Sequence, residues 1–291
     1  MKKIFPLVLL FSFFLCSLDA RAESPQTVPA SQPVTTWHLI KKKELPNYRI
    51  EIWMKENAKL PLGIESSSAK IFNKEGKLLQ EVKDLILEPD PKENVEGWSS
   101  DKILDLDGDG QEDLLLKGYS GGSHCCYQYH VFSLGKILKK MGTISLKDCG
   151  EKIEVKDLNG DKIPEIISCS ADFTNFKQIP YSVSPFPPRV FSLKNGSYVQ
   201  SDQEFPQVYE DDAALQKAQI TKEGFDIAKV LQLTLDQLIL GKEEQAWKDF
   251  DQYYKAANKE KVKAELQEKW SAFKMPSSES KMVLPSGGVR Q

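Results

Sequence analysis

Between Tyr48 and Trp53 polar and apolar side chains alternate, Tyr-Arg-Ile-Glu-Ile-Trp, the period of a strand with one face buried. Ala69–Phe72 and Lys77–Val82 flank Asn73-Lys74-Glu75-Gly76, which predicts a hairpin turning on those four residues. Strand signals continue to about Pro206. From about Asp211 the spacing changes: Ile227, Val230, Leu231, Leu235, Leu238 and Ile239 recur at three- and four-residue steps, one face of a helix. Gly241 is placed to end it. Ala246, Trp247, Phe250, Tyr253 and Tyr254 predict a second helix, and Val262, Leu266, Trp270 and Phe273 a third. The expected fold class is α+β: a mainly antiparallel β domain over residues 37–206, followed by a small C-terminal helical bundle over 211–274. The acidic and polar stretch Tyr209–Gln219 is expected to join the two.

The chain ends change the picture. Lys2 and Lys3 precede an apolar run from Ile4 to Leu18 and then Ala20-Arg21-Ala22, the layout of a signal peptide cut after Ala22. The run of about 15 residues falls short of the roughly 20 that a spanning helix needs, and Leu15 before Cys16 argues against lipidation. Residues 23–36, rich in Pro, Ser, Thr and Gln, read as a disordered linker, and 275–291 as a disordered tail. The mature protein is expected to be periplasmic or secreted, with no transmembrane anchor. Losing Lys2, Lys3, Arg21 and Asp19 removes a net +2, so the formal charge of -3 becomes -5. That balance does not invite nucleic acid.

One segment recurs. Asp105-Leu106-Asp107-Gly108-Asp109-Gly110-Gln111-Glu112-Asp113 is echoed 52 residues later by Asp157-Leu158-Asn159-Gly160-Asp161-Lys162-Ile163-Pro164-Glu165. Downstream of each, Val-Phe-Ser-Leu recurs, at Val131–Leu134 and at Val190–Leu193. The paired landmarks argue duplication over about 102–146 and 154–198. Oxygen ligands at loop positions one, three, five and nine, with a backbone carbonyl at seven, can wrap a hard cation that takes six to eight oxygens. Asp105, Asp107, Asp109 and Asp113, with the carbonyl of Gln111, supply that set. Four carboxylates this close repel by about 1 kcal/mol per pair at ~4 Å even in bulk water, a penalty that calcium would remove. The second set is Asp157, Asn159, Asp161, Glu165 and the carbonyl of Ile163. Its formal ligand charge is -3 against -4, and Lys162 stands where Gly110 does, so weaker affinity is expected. A helix-flanked EF-hand is excluded because position twelve of the first loop is Leu116 and the flanks, Lys102–Leu104 and Leu114–Tyr119, read as strands.

At these residues the sequence resembles the FG-GAP or VCBS repeats of integrin-α-like β-propellers, whose acidic loops carry calcium between paired strands. The resemblance covers roughly Lys102–Tyr198 and implies calcium as the cofactor. A full propeller needs more blades than two loops supply, so a partial propeller or sandwich-like β domain is expected. Gly241–Trp247 resembles the start of a tetratricopeptide-type helix, but one such unit cannot bury its own face, and an ordinary amphipathic bundle docked on the β domain is the preferred reading.

Four cysteines remain after the signal: Cys125, Cys126, Cys149 and Cys169. In an exported chain they read as two disulfides. Matching Leu134 with Met141 across a hairpin puts Cys126 opposite Cys149 and leaves Cys125 for Cys169; a vicinal Cys125–Cys126 bridge with Cys149–Cys169 is the alternative. Gly121–Cys126 includes His124, yet adjacent cysteines in an oxidising space make poor zinc ligands or nucleophiles. No Gly-x-Ser-x-Gly elbow, His-Glu-x-x-His or phosphate-cradling glycine loop occurs. The expected function is that of an exported calcium-binding, non-enzymatic binding or scaffolding protein of the cell envelope, with a protein or glycan as partner. A metal-dependent envelope hydrolase is the alternative.

Overall fold

The computed structural model of the chain describes residues 36–89, 95–96, 103–122 and 126–274. The expected signal peptide, the linker before Thr36, the tail, Lys102, His124 and Cys125 lie outside the described residues. The strands run β1 (Trp37–Glu44), β2 (Tyr48–Glu56), β3 (Ile64–Asn73), β4 (Leu78–Asp84), β5 (Ile86–Pro89), β6 (Val95–Glu96) and β7 (Leu114–Tyr119). They continue as β8 (Tyr127–Ser133), β9 (Lys139–Lys147), β10 (Ile153–Lys156), β11 (Glu165–Cys169), β12 (Pro188–Lys194) and β13 (Ser197–Gln200). Helices α1 (Pro206–Glu223), α2 (Ile227–Ile239), α3 (Glu243–Tyr253) and α4 (Lys259–Lys274) follow.

The strands form three sheets, ordered β1-β2-β3-β4, β5-β7-β8-β9 and β13-β12-β11-β10-β6. Among the described residues the strand pairings are antiparallel except that of β10 with β6. The expected turn is present, closed by the Gly76 amide on the Asn73 carbonyl at 3.0 Å.

Period two explains how the sheets stack. Along β7, Leu114 and Leu116 share a core with Ile50, Ile52, Ala69 and Ile71 of the first sheet. Leu115, pointing to the opposite face, joins Tyr129, Val131, Ile144, Ile166 and Tyr198 in a second core against the third sheet. The middle sheet is thus covered on both sides, and its run of three leucines is what such a strand requires. Each fully buried leucine contributes about 1.5–3 kcal/mol of apolar burial. The three sheets close into neither a barrel nor a propeller ring.

The helices pack Val230, Leu231, Leu235, Phe250, Val262 and Leu266 into a third core that also takes Phe173, Phe176 and Ile179 from the segment after β11. Asp226 caps α2 by accepting the Lys229 amide at 3.2 Å, and Gly241, at φ 73°, follows its end. The three expected helices are therefore present. The stretch expected to join the two parts is instead the body of α1, whose buried apolar residues are Tyr209, Ala213 and Ile220. Polar contacts tie it down: Gln232 Nε2 donates to Asp212 Oδ2 at 2.8 Å, and Lys217 pairs with the buried Asp249 at 3.1 Å.

The cysteine pairing differs from the preferred expectation. Cys149 bonds Cys169, and Cys126 is itself disulfide-bonded and so unavailable to Cys149. The reason is register. Val131 pairs with Gly142, and irregularities at Tyr127/Gln128 and Val131/Phe132 slide β9 along β8 relative to the Leu134–Met141 match. The strand expected at Lys102–Leu104 is also absent among the described residues; Ile103–Asp105 is irregular and carries one ladder-like bond, from the Asp113 amide to the Leu104 carbonyl at 2.7 Å.

Candidate metal centre

The two acidic loops enter the β domain at matching places. The first leads into β7 and the second joins β10 to β11. Leu114 pairs with Phe132 and Leu115 with Val131; in the second copy Ile166 pairs with Phe191 and Ile167 with Val190. Both repeated Val-Phe-Ser-Leu tetrapeptides therefore contribute the strand next to their own loop, in the same register.

Inside the loops five hydrogen bonds repeat one for one. The carboxylate of Asp105 accepts the amides of Gly108 and Gly110, both at 2.8 Å, and that of Asp157 accepts Gly160 at 2.7 Å and Lys162 at 3.0 Å. Asp107 accepts the Asp109 amide at 3.2 Å, as Asn159 accepts Asp161 at 2.9 Å. Asp109 accepts Gln111 and Asp161 accepts Ile163, both at 2.8 Å. At the loop base Asp113 Oδ2 accepts the Leu106 amide at 2.8 Å, as Glu165 Oε2 accepts Leu158 at 2.9 Å. Short acidic side chains suit this wrapping because they bond the backbone two to five residues on.

The turns demand left-handed backbone at two positions per loop: Gly108 and Gly110 at φ 77° and 81°, Gly160 and Lys162 at φ 81° and 73°. Lys162 is thus strained where Gly110 is not, by about 1 kcal/mol.

Asp105, Asp107 and Asp109 each offer an oxygen within 4.8 Å of the others. Among the described residues no lysine or arginine pairs with any of the three. Three hard oxygen donors without a cationic side chain suit a hard divalent cation. Loop and surroundings are closely fitted, since a Cβ on Gly135 would lie 2.6 Å from Asp109 Oδ2. Asp113 stands apart from the trio. It is 1 % exposed, and its Oδ1 accepts the Leu134 amide at 2.9 Å, so it anchors the loop to the strand carrying the repeated tetrapeptide. Burial pushes its carboxyl up to about 7 against those two amides, with Asp107 and Asp105 adding to the rise.

The second loop is electrostatically quieter. Asn159 Nδ2 donates to Asp161 Oδ2 at 3.0 Å, and because Asn159 stands where Asp107 does the second loop carries one carboxylate fewer. In the first loop the corresponding side-chain donor is Gln111 Nε2, to Asp109 Oδ2 at 3.0 Å. Partial desolvation at Asp157 is outweighed by four backbone amides, which hold its carboxyl below the usual range. Burial raises that of Glu165.

Tyr198 escapes any reading of the loops alone. It lies in β13, yet its hydroxyl donates to the Leu106 carbonyl of the first loop at 2.9 Å and the Pro164 carbonyl of the second at 2.8 Å. The Ile163 side chain also lies 3.0 Å from where a Cβ on Gly108 would stand. No local pattern marks either contact, because each depends on the stacking of the second sheet on the third. Comparison with family models, with curated proteins and with solved structures finds no match to this chain.

Proposed function

We propose that the protein is an exported calcium-binding module of the cell envelope, non-enzymatic, which uses the cation to fix its β domain for contact with a protein or glycan partner. The observation that carries this reading is the convergence of Asp105, Asp107 and Asp109 within 4.8 Å on a loop whose hydrogen-bond scaffold is repeated in a second copy. The likeness to FG-GAP or VCBS loops points the same way. A bound calcium ion would supply positive charge there and would accept the carboxylate oxygens as ligands. Asp105, Asp107 and Asp109 would hold it, Asp113 would brace the loop from beneath, and Asp157, Asn159, Asp161 and Glu165 would form the weaker counterpart. The Cys149–Cys169 bridge fits an oxidising compartment. Among the described residues no helix is long and apolar enough to cross a membrane.

Calorimetric titration of the purified protein with calcium tests the reading. A site is expected that disappears on combined Asp107→Ala and Asp109→Ala substitution and is only mildly affected by Asp161→Ala. Heat-silent titration together with a melting curve indifferent to calcium and chelator would refute it.

A further inference from the structure

The two loops are distant in sequence but meet in the fold, and the contact is made by groups with no duty in either loop's own scaffold. Leu106 lies between Asp105 and Asp107, and its amide is held by Asp113. Pro164 lies between Ile163 and Glu165. The carbonyls of both converge on one hydroxyl, that of Tyr198, which is 7 % exposed. A single O–H proton shared between a buried carbonyl and a half-buried one leaves both short of a protein donor if it is removed. The contact of Ile163 with Gly108 adds a second link directly between the loops.

We propose that Tyr198 is a positioning residue that joins the two acidic loops into one ordering unit, so that loosening or tightening either loop is felt in the other. A divalent cation held by Asp105, Asp107 and Asp109 would then also order the second loop, whether or not that loop takes a cation itself. This last step rests on the calcium reading; the coupling does not. Ordering of one site that lessens the ordering cost at another is a recognised route for such communication, and here it has an identified physical tie.

Amide exchange followed by NMR on the full chain, first in chelator, tests the coupling without metal. Asp161→Ala removes the acceptor of the Ile163 amide and touches no bond within the first loop. It is expected to speed exchange at Gly108 and Gly110 by about fivefold, the effect of roughly one net hydrogen bond. In a Tyr198→Phe background the same substitution is expected to speed those two amides clearly less, since of the two links between the loops the approach of Ile163 to Gly108 is left. The reverse perturbation, Asp109→Ala, needs no change at Tyr198 and is expected to speed exchange at Gly160 and Lys162. First-loop amides that ignore Asp161→Ala, or respond equally with and without the Tyr198 hydroxyl, would overturn the proposal, as would second-loop amides that ignore Asp109→Ala. Adding calcium to the Asp161→Ala protein is expected to slow all four amides. Calcium that slows only Gly108 and Gly110 overturns the coupling and leaves the cation reading intact. Calcium without effect on any of them, after coupling has been seen in chelator, removes the cation reading and upholds the coupling.

Discussion

Asp236 sits in the middle of α2 at 0 % exposure. Its Oδ1 accepts Gln232 Nε2 at 3.3 Å, its Oδ2 finds no donor, and the Asp212 carboxylate of α1 is alongside. Burial first, then Asp212, push the Asp236 carboxyl up to about 10. It therefore keeps its proton at neutral pH in the folded protein, whereas in the unfolded chain it ionises near pH 4. Between those values the folded state binds one proton more than the unfolded state. The stability linked to this group is thus fully present below pH 4 and falls by about 1.4 kcal/mol per pH unit as pH rises through the window. Asp236→Asn keeps the shape and a donor for Asp212 but cannot ionise. Near pH 4 variant and parent should be nearly equal in stability. By pH 7 the variant should be the more stable by about 3–4 kcal/mol, three units of the same slope. Urea unfolding of both proteins at pH 5, 6 and 7 in chelator checks this, and other titrating groups cancel in the difference. Parallel stability curves for the two proteins, or a variant weaker at every pH, would show that the buried carboxyl is not held neutral.

Millimolar calcium should raise the melting temperature by about 5–10 °C if it exceeds the dissociation constant a hundredfold, and differential scanning fluorimetry with Asp107→Ala plus Asp109→Ala should show no rise. Lys162→Gly relieves left-handed strain at φ 73° and should add about 1 kcal/mol in urea unfolding; a loss would mean that the lysine side chain earns its place by contacts. Peptide mapping of non-reduced protein should recover Cys149 linked to Cys169, and reduction should lower stability by about 3 kcal/mol for a loop of this length. Leu115→Ala, at a fully buried position between the second and third sheets, should cost about 2–5 kcal/mol in the same unfolding assay.

Strong local periodicity made much of the architecture legible. β2, α3 and α4 each advertise one buried face, and the turn at Asn73–Gly76 advertises itself by its residue types. α2 shows an apolar stripe although the fold buries every residue from Val230 to Leu238. The acidic loops advertise themselves by residue type and spacing. Where packing does not follow a clean stripe, the signal fails. α1 buries only Tyr209, Ala213 and Ile220 as apolar residues, with polar ties at Asp212 and Lys217 besides, so its segment resembles a polar connector. The Cys149–Cys169 bridge was legible only as the alternative pairing, because register irregularities in β8 and β9 change which side chains face each other. The clustered loop carboxylates were readable because they lie within nine residues of one another. Tyr198 was not, because it is brought to the loops by a sheet that forms elsewhere in the chain.

The double-sided burial of the middle sheet has a consequence for synthesis. As the chain emerges from its N-terminus, the first sheet and then the second are completed while β10 to β13 are still unmade. Until they arrive, the face bearing Leu115, Tyr129 and Val131 has nothing to rest on but solvent, a sticky half-product of the kind that chaperones shield. A fragment ending just after β9 would be frozen at that stage. It should gather into aggregates however sound its first two sheets are, whereas the full-length chain passes the same point only briefly.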